Sequence, residues 1–238
     1  MPSTITTAAI LAGGLATRLH PITVTTPKIL VPVSGRPFVE HQLALLRRHG
    51  IQRVVFCLGH FADQVMNFVG DGSSYGLQVD YSLDGDTLLG TGGCLRKALP
   101  LLEEHFFCLY GDSYLDTEYQ AIARTHLTSD MPATMSVFQN RNEGDLSNVW
   151  MDGGRLKVYS KKNRLPQMQH IDYGLCAIDA GEFLKTTRSG AFDLSDWFSD
   201  LSSDGKLGWH EVPRRFYEMG SPQGLKELEF FLLHKEII

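Results

Sequence analysis

Short apolar runs alternate with amphipathic stretches over the first half of the chain, and this alternation restricts the fold more than any other feature. Residues 6–11, 53–58, 77–82 and 106–110 read as strands, whereas 37–49 (with Gly50 past its end), 61–69 and 91–99 read as helices. Strands separated by helices build βαβ units, hence a largely parallel sheet covered on both faces. The second half changes character. Residues 133–138, 173–178 and 207–212 read as strands, and 149–159 as a hairpin turning at Asp152-Gly153-Gly154. Residues 195–201 read as a helix, and 221–235 as a closing amphipathic helix with Ser221 as its N-cap. No internal repeat, low-complexity segment or linker interrupts the 238 residues, which suit one large α/β domain.

Charge narrows the partners. The formal net charge of −5 leaves no basic surplus for neutralising many phosphates, which argues against nucleic acid. An anionic substrate then needs a local cluster of Arg, Lys, backbone N–H groups or metal. Cys57, Cys94, Cys108 and Cys176 form no CxxC pair, and Cys57 and Cys108 lie inside apolar runs, which reads as buried free thiols in a reducing compartment. The first seven residues carry no charged n-region or apolar h-region, and no apolar stretch approaches the ~20 residues of a membrane span. The expectation is a soluble, cytoplasmic protein without nucleic-acid or membrane partners, its oligomeric state left open.

In open parallel sheets ligands lie beyond the carboxyl ends of the strands, so chemistry is expected in the loops that follow them. Directly after the first strand stands Leu11-Ala12-Gly13-Gly14-Leu15-Ala16-Thr17-Arg18-Leu19. Paired glycines let the backbone approach a polyphosphate and turn N–H groups toward it, and Arg18 adds a planar, permanently charged donor. Pro27-Lys28-Ile29-Leu30-Val31-Pro32-Val33 supplies a second cation on a chain stiffened by two prolines. The loop is neither GxxxxGK[ST] nor GxGxxG, which disfavours a P-loop NTPase and a dinucleotide dehydrogenase.

The run from Leu11 to Val33 closely resembles the signature LAGGxGTRLxPxTxxxPKxLxPV of the sugar-1-phosphate nucleotidyltransferases, among them thymidylyl-, guanylyl- and uridylyltransferases. The resemblance implies a Rossmann-like, GT-A-type three-layer α/β/α sandwich with a mostly parallel mixed sheet and late inserted hairpins. It implies that Leu11, Ala12, Gly13, Gly14, Thr17 and Arg18 meet the nucleotide, with Arg18 and Lys28 acting on the triphosphate. Ala16 stands where the pattern has Gly; a positive φ there would cost roughly 1–2 kcal/mol. Leu89-Gly90-Thr91-Gly92-Gly93 is similar to the family's second glycine segment, which lies against the nucleobase, so Gly90, Thr91 and Gly92 join the nucleotide set. Thr91 could equally cap a helix.

Tyr110-Gly111-Asp112 resembles the family's (L/N)GD, whose Asp binds the metal, and an acid at a strand's carboxyl end suits Mg²⁺ against a polyphosphate. Phe216-Tyr217-Glu218-Met219-Gly220-Ser221-Pro222 matches WxDxGT(P), with Glu218 as the second metal ligand. Val158-Tyr159-Ser160-Lys161-Lys162 lies where the family carries FxEKP, and either Lys161 or Lys162 answers to the lysine that meets the sugar phosphate. Asp172-Tyr173-Gly174 resembles NxGxY, which places Asp172 and Gly174 at the sugar. The division implied is 1–140 for the nucleotide, 141–215 for the sugar phosphate and 216–238 for the closing metal motif and helix.

The expected function is transfer of a nucleoside monophosphate from an NTP to a sugar 1-phosphate, releasing pyrophosphate: a Mg²⁺-dependent enzyme of the EC 2.7.7 class. The chain ends about one helix after Glu218, which leaves no room for a β-helical acetyltransferase domain. The Gly13-Gly14 pair leans toward guanylyl, thymidylyl or cytidylyl transfer, and the 86–93 stretch looks most like the heptose-1-phosphate guanylyltransferases. They favour GTP with a heptose or mannose 1-phosphate, guanine being read by backbone groups near Gly90–Gly93. The alternatives are a cytidylyltransferase for a non-sugar phosphate such as phosphocholine, and a non-catalytic NDP-sugar sensor.

Overall fold

The computed structural model describes residues 4–14, 16–140 and 145–234. Leu15 of the glycine loop, residues 141–144 at the start of the expected acceptor lobe, and the end of the expected last helix lie outside the described residues.

Strand β1 (Thr7–Leu11) leads through three short 3₁₀ turns to the small ribbon β2 (Pro32–Val33) and β3 (Arg36–Pro37) and then helix α1 (Phe38–Arg48). There follow β4 (Arg53–Leu58), α2 (Ala62–Val69), β5 (Gln78–Leu83), α3 (Gly90–Ala98), β6 (His105–Tyr110), β7 (Ser113–Tyr114), α4 (Tyr119–Leu127) and β8 (Ala133–Phe138). The second half adds the hairpin β9 (Val149–Asp152) and β10 (Arg155–Tyr159), then β11 (Ile171–Asp179), α5 (Ala180–Leu184), α6 (Leu194–Ser203), β12 (Leu207–Glu211), β13 (Tyr217–Glu218) and α7 (Pro222–His234).

Seven strands form one sheet in the order β12-β8-β11-β6-β1-β4-β5. β5, β4, β1 and β6 run parallel, β11 is antiparallel to both neighbours, and β12 is parallel to β8. Side chains alternate between two cores. Ala8 and Ile10 of β1, with Val54 and Phe56 of β4, face α1, α2, α4 and α7; Ala9, Val55 and Cys57 face α3, α5 and α6. This is the three-layer α/β/α sandwich with a mostly parallel mixed sheet. The hairpin β9–β10 stands as its own two-stranded sheet and turns on Gly153 and Gly154, both at positive φ.

Helix α4 is an element beyond those expected from the sequence, and its Tyr119, Ile122, Ala123 and His126 keep the i, i+3, i+4, i+7 spacing of a buried stripe. Ser221 caps α7 as expected, accepting the N–H of Gly224 at 3.0 Å. Thr91 does not cap α3: that helix starts at Gly90, and the Thr91 hydroxyl accepts the N–H of Leu194 at 2.8 Å instead. All four cysteines are buried and free. Among the described residues no helix is long and apolar enough to cross a membrane.

His126 lies almost fully buried under α4 and bonds Thr134 Oγ1 at 3.1 Å. Burial, then the neighbouring His105, holds its pKa down to about 4 against an ordinary 6.5. The unfolded chain therefore binds more protons between those pH values, and stability falls as pH is lowered through that window. Chemical unfolding at pH 7 and pH 5 should show a His126-dependent loss of about 1–2 kcal/mol after discounting for partial solvation, much reduced in His126→Gln. Equal losses in the two proteins would remove His126 as the cause.

Candidate active site

The glycine loop leaves the carboxyl end of β1 between two neighbours that hold it from either side. Ala12 N–H donates to Cys57 O at 2.9 Å, and Gly111 N–H donates to Leu11 O at 2.9 Å. Glycine suits residue 13, because a Cβ there would sit a tight 3.0 Å from the Gly59 nitrogen just past β4. Ala16 has φ 49° and ψ 40°, the left-handed conformation that carries a cost of roughly 1–2 kcal/mol without glycine. Its carbonyl accepts the Thr23 hydroxyl at 2.7 Å, which ties down the following turn.

Leu11, Ala12, Gly13, Gly14, Thr17, Arg18, Lys28, Gly90, Thr91 and Asp112 all line one cleft of about 430 Å³ at the carboxyl ends of β1 and β6. Gly92 does not line it. The N–H groups of Gly92 and Gly93 both point to Phe192 O, at 2.9 and 3.3 Å, and the Phe192 ring packs where a Gly92 side chain would be. These two glycines admit the 190–193 segment against α3, and their donors are not available to a base edge.

Three residues of the cleft wall carried no local sequence signal. Asp84 follows β5, accepts the Leu89 N–H at 3.1 Å through Oδ2 and lies largely buried; burial pushes its carboxyl pKa up. Tyr110 closes β6, and Asp193 precedes α6.

Asp112 and Glu218 are more than a hundred residues apart, yet they are neighbours. β7 pairs with β13 so that Ser113 lies opposite Glu218, and Met219 N–H donates to Asp112 O at 2.9 Å. Lys28 Nζ lies 2.5 Å from Asp112 Oδ2, a half-buried ion pair, and Ser113 Oγ donates to the other oxygen at 3.1 Å. The Glu218 carboxylate turns onto its own loop, accepting from Gly220 N–H and from Ser221 Oγ at 2.7 Å. A Cβ on Gly220 would lie 2.8 Å from Lys28 Nζ and 3.1 Å from an Arg18 nitrogen, and would strike the Glu218 carboxylate. Two cations and two carboxylates thus crowd the edge of the glycine-loop cleft around a residue that has no side chain. Glu218 also lines an adjoining cleft of about 640 Å³ with Phe138, Ile171 and Tyr217.

Among the described residues no three His, Cys, Asp or Glu side chains converge as a complete metal cage. A hard divalent cation such as Mg²⁺ needs none, since it keeps waters and takes one or two carboxylates plus phosphate oxygens. Asp112 and Glu218 fit that demand in chemistry and adjacency.

The adjacent lysines after β10 face opposite ways. Lys161 Nζ donates to Tyr110 Oη at 3.2 Å and lies 3.9 Å from Asp172 Oδ2. Lys162 Nζ turns outward to Asp196 on α6 at 2.7 Å. Asp172 and Gly174 sit in a bulge of β11, where Gly174 at φ +87° donates its N–H to Asp172 Oδ1 at 2.9 Å. Both line a small cavity that shares Tyr110 with the main cleft.

A mostly parallel α/β/α sandwich with a cationic glycine loop and two carboxylates at its strand ends defines a nucleotide-handling class. Residues 7–163 match the family described as Nucleotidyl transferase, and the chain belongs to it. It is 32% identical over 139 residues, 54% of its length, to the UTP–glucose-1-phosphate uridylyltransferase of Synechocystis sp., and covers 36% of that protein. It is 31% identical over 111 residues, 47% of its length, to the D-glycero-alpha-D-manno-heptose 1-phosphate guanylyltransferase of Campylobacter jejuni, and covers 49% of it. The chain therefore spans a third to a half of these curated relatives. The crystal structure of HddC from Yersinia pseudotuberculosis superimposes with a TM-score of 0.79 at 22% identity, over 96% of this chain and all of that one, which shows the fold.

Proposed function

We propose that the protein transfers a nucleoside monophosphate from an NTP to a sugar 1-phosphate in the cytoplasm, as an enzyme of the EC 2.7.7 class. The observation that carries this reading is the convergence of Arg18, Lys28, Asp112 and Glu218 around Gly220, beside a glycine loop that exposes backbone donors. Arg18 and Lys28 bind and orient the triphosphate, and Thr17 and the loop N–H groups complete its cradle. Asp112 and Glu218 hold Mg²⁺, which supplies neutralisation of the phosphate charge. An oxygen of the acceptor phosphate attacks the α-phosphorus in line, the bond to the bridging oxygen breaks, and pyrophosphate leaves. Catalysis is positioning and charge balance, with no covalent nucleophile.

Residues 141–215 form the acceptor lobe. Lys161, tied to Tyr110 and Asp172, meets the acceptor phosphate, whereas Lys162 belongs to the solvated pair with Asp196. Asp172 accepts hydrogen bonds from sugar hydroxyls, held in place by the Gly174 N–H.

GTP is the preferred donor, with a manno-configured heptose or hexose 1-phosphate as acceptor. The support is Asp84 on the cleft wall. A carboxylate accepts from the N1–H and N2 donors of guanine, but meets the two carbonyls that flank the single N–H of uracil or thymine. A pyrophosphate-release screen across five NTPs and a panel of sugar 1-phosphates tests the reading. GTP turnover with a mannose or heptose phosphate is expected. Turnover with another base overturns the guanine assignment, and turnover with none overturns the transferase.

A further inference from the structure

Tyr110 ends β6 two residues before Asp112, and its ring packs beside Leu194 and Phe198. The phenol oxygen accepts from Lys161 Nζ at 3.2 Å, and the same ammonium lies 5.0 Å from the ring centroid. Asp172 Oδ2, 3.9 Å from that nitrogen, also receives the Tyr159 hydroxyl at 3.3 Å. Asp172 is itself fixed: its N–H donates to Asn148 Oδ1 at 2.9 Å, and its Oδ1 takes the Gly174 N–H.

A lysine side chain has four rotatable bonds and a strongly hydrated head, so one with 42% of its surface exposed does not hold a position unaided. Lys162, its neighbour, is 74% exposed and settles on the nearest helix carboxylate. Lys161 instead spans to the carboxyl end of β6, the strand whose next residues carry Asp112. An ammonium has three donors. Tyr110 takes one by a hydrogen bond while Asp172 draws the charge from 3.9 Å, which leaves donors free for an incoming anionic oxygen.

We infer that Tyr110 is a positioning residue for the acceptor: its hydroxyl holds the Lys161 ammonium by Asp172 at the carboxyl end of β6, where the phosphate of the sugar phosphate arrives. This inference rests on the proposed transferase reading. Gly174 supports the arrangement, because its positive φ, which would be strained with a side chain, lets the chain bend alongside the Tyr110 ring.

The decisive experiment uses Tyr110→Phe, which keeps the ring and its packing and deletes one oxygen. Acceptor KM should rise about tenfold, as expected for loss of one hydrogen bond to a charged group, with kcat within about twofold of wild type. NTP affinity by titration calorimetry and the melting temperature should be unchanged. Lys161→Met should raise acceptor KM at least as much, and Tyr110→Phe placed in that background should add nothing further. An unchanged acceptor KM in Tyr110→Phe overturns the inference, as does a double variant in which the two effects multiply in full. A wild-type protein that turns over no NTP with any sugar phosphate instead removes the transferase reading, and this inference falls with it.

Discussion

Asp112→Asn is expected to lower kcat by about a hundredfold or more, and Glu218→Gln to do the same, because on the proposed reading each removes one of the two charges that would hold the cation against the phosphates. The two residues are brought together by the β7–β13 pairing, and both substitutions retain size and one acceptor oxygen while the second oxygen becomes a donor. Asparagine can still accept from Ser113, and glutamine from Ser221. Steady-state kinetics in saturating Mg²⁺ separates the outcomes, with circular dichroism as the folding control. Near-normal turnover by both variants, or full wild-type activity in excess EDTA, would end the assignment of these carboxylates to a metal.

Arg18→Ala and Lys28→Ala should each reduce kcat/KM for the NTP by roughly ten- to a hundredfold, the range for a lost hydrogen bond between charged partners. The folds should persist, since Arg18 stands exposed on a 3₁₀ turn and Lys28 opens another. Lys28→Ala has a second consequence. It strips Asp112 of its 2.5 Å partner and leaves a half-buried carboxylate held by Ser113 Oγ. Titration calorimetry with a non-hydrolysable NTP analogue should show weakened binding in both variants. Unchanged affinity and unchanged kcat/KM would detach the glycine-loop cations from the triphosphate.

Much of this arrangement is written in short-range pattern. β1, β4 and β6 are continuous apolar runs because they are buried on both faces of a parallel sheet, and such runs are recognisable without partners. The Gly153-Gly154 turn is legible because both residues take a positive φ that glycine accepts without strain. α4 is less legible, because its stripe of Tyr119, Ile122, Ala123 and His126 has helical spacing but mixes polar and aromatic members.

Gly90–Gly93 marks where local pattern misleads. The segment resembles a base-binding loop, and Gly90 and Thr91 do line the cleft, yet Gly92 and Gly93 are small because Phe192 crosses them. A glycine records only that something approaches closely, not whether it is a ligand or another stretch of the same chain.

By itself the sequence determined the sandwich, the glycine loop after the first strand, and the residue types able to carry phosphate and metal. Those follow from periodicity and from chemistry carried on contiguous residues. Tertiary structure alone decided which of two adjacent lysines turns inward, how Glu218 comes to lie beside Asp112, and why Asp84, Tyr110 and Asp193 share one cleft wall. Each of those outcomes depends on strand pairing and packing between segments tens to hundreds of residues apart. A side chain's direction is fixed there by the partner it finds, and no window of neighbouring residues contains that partner.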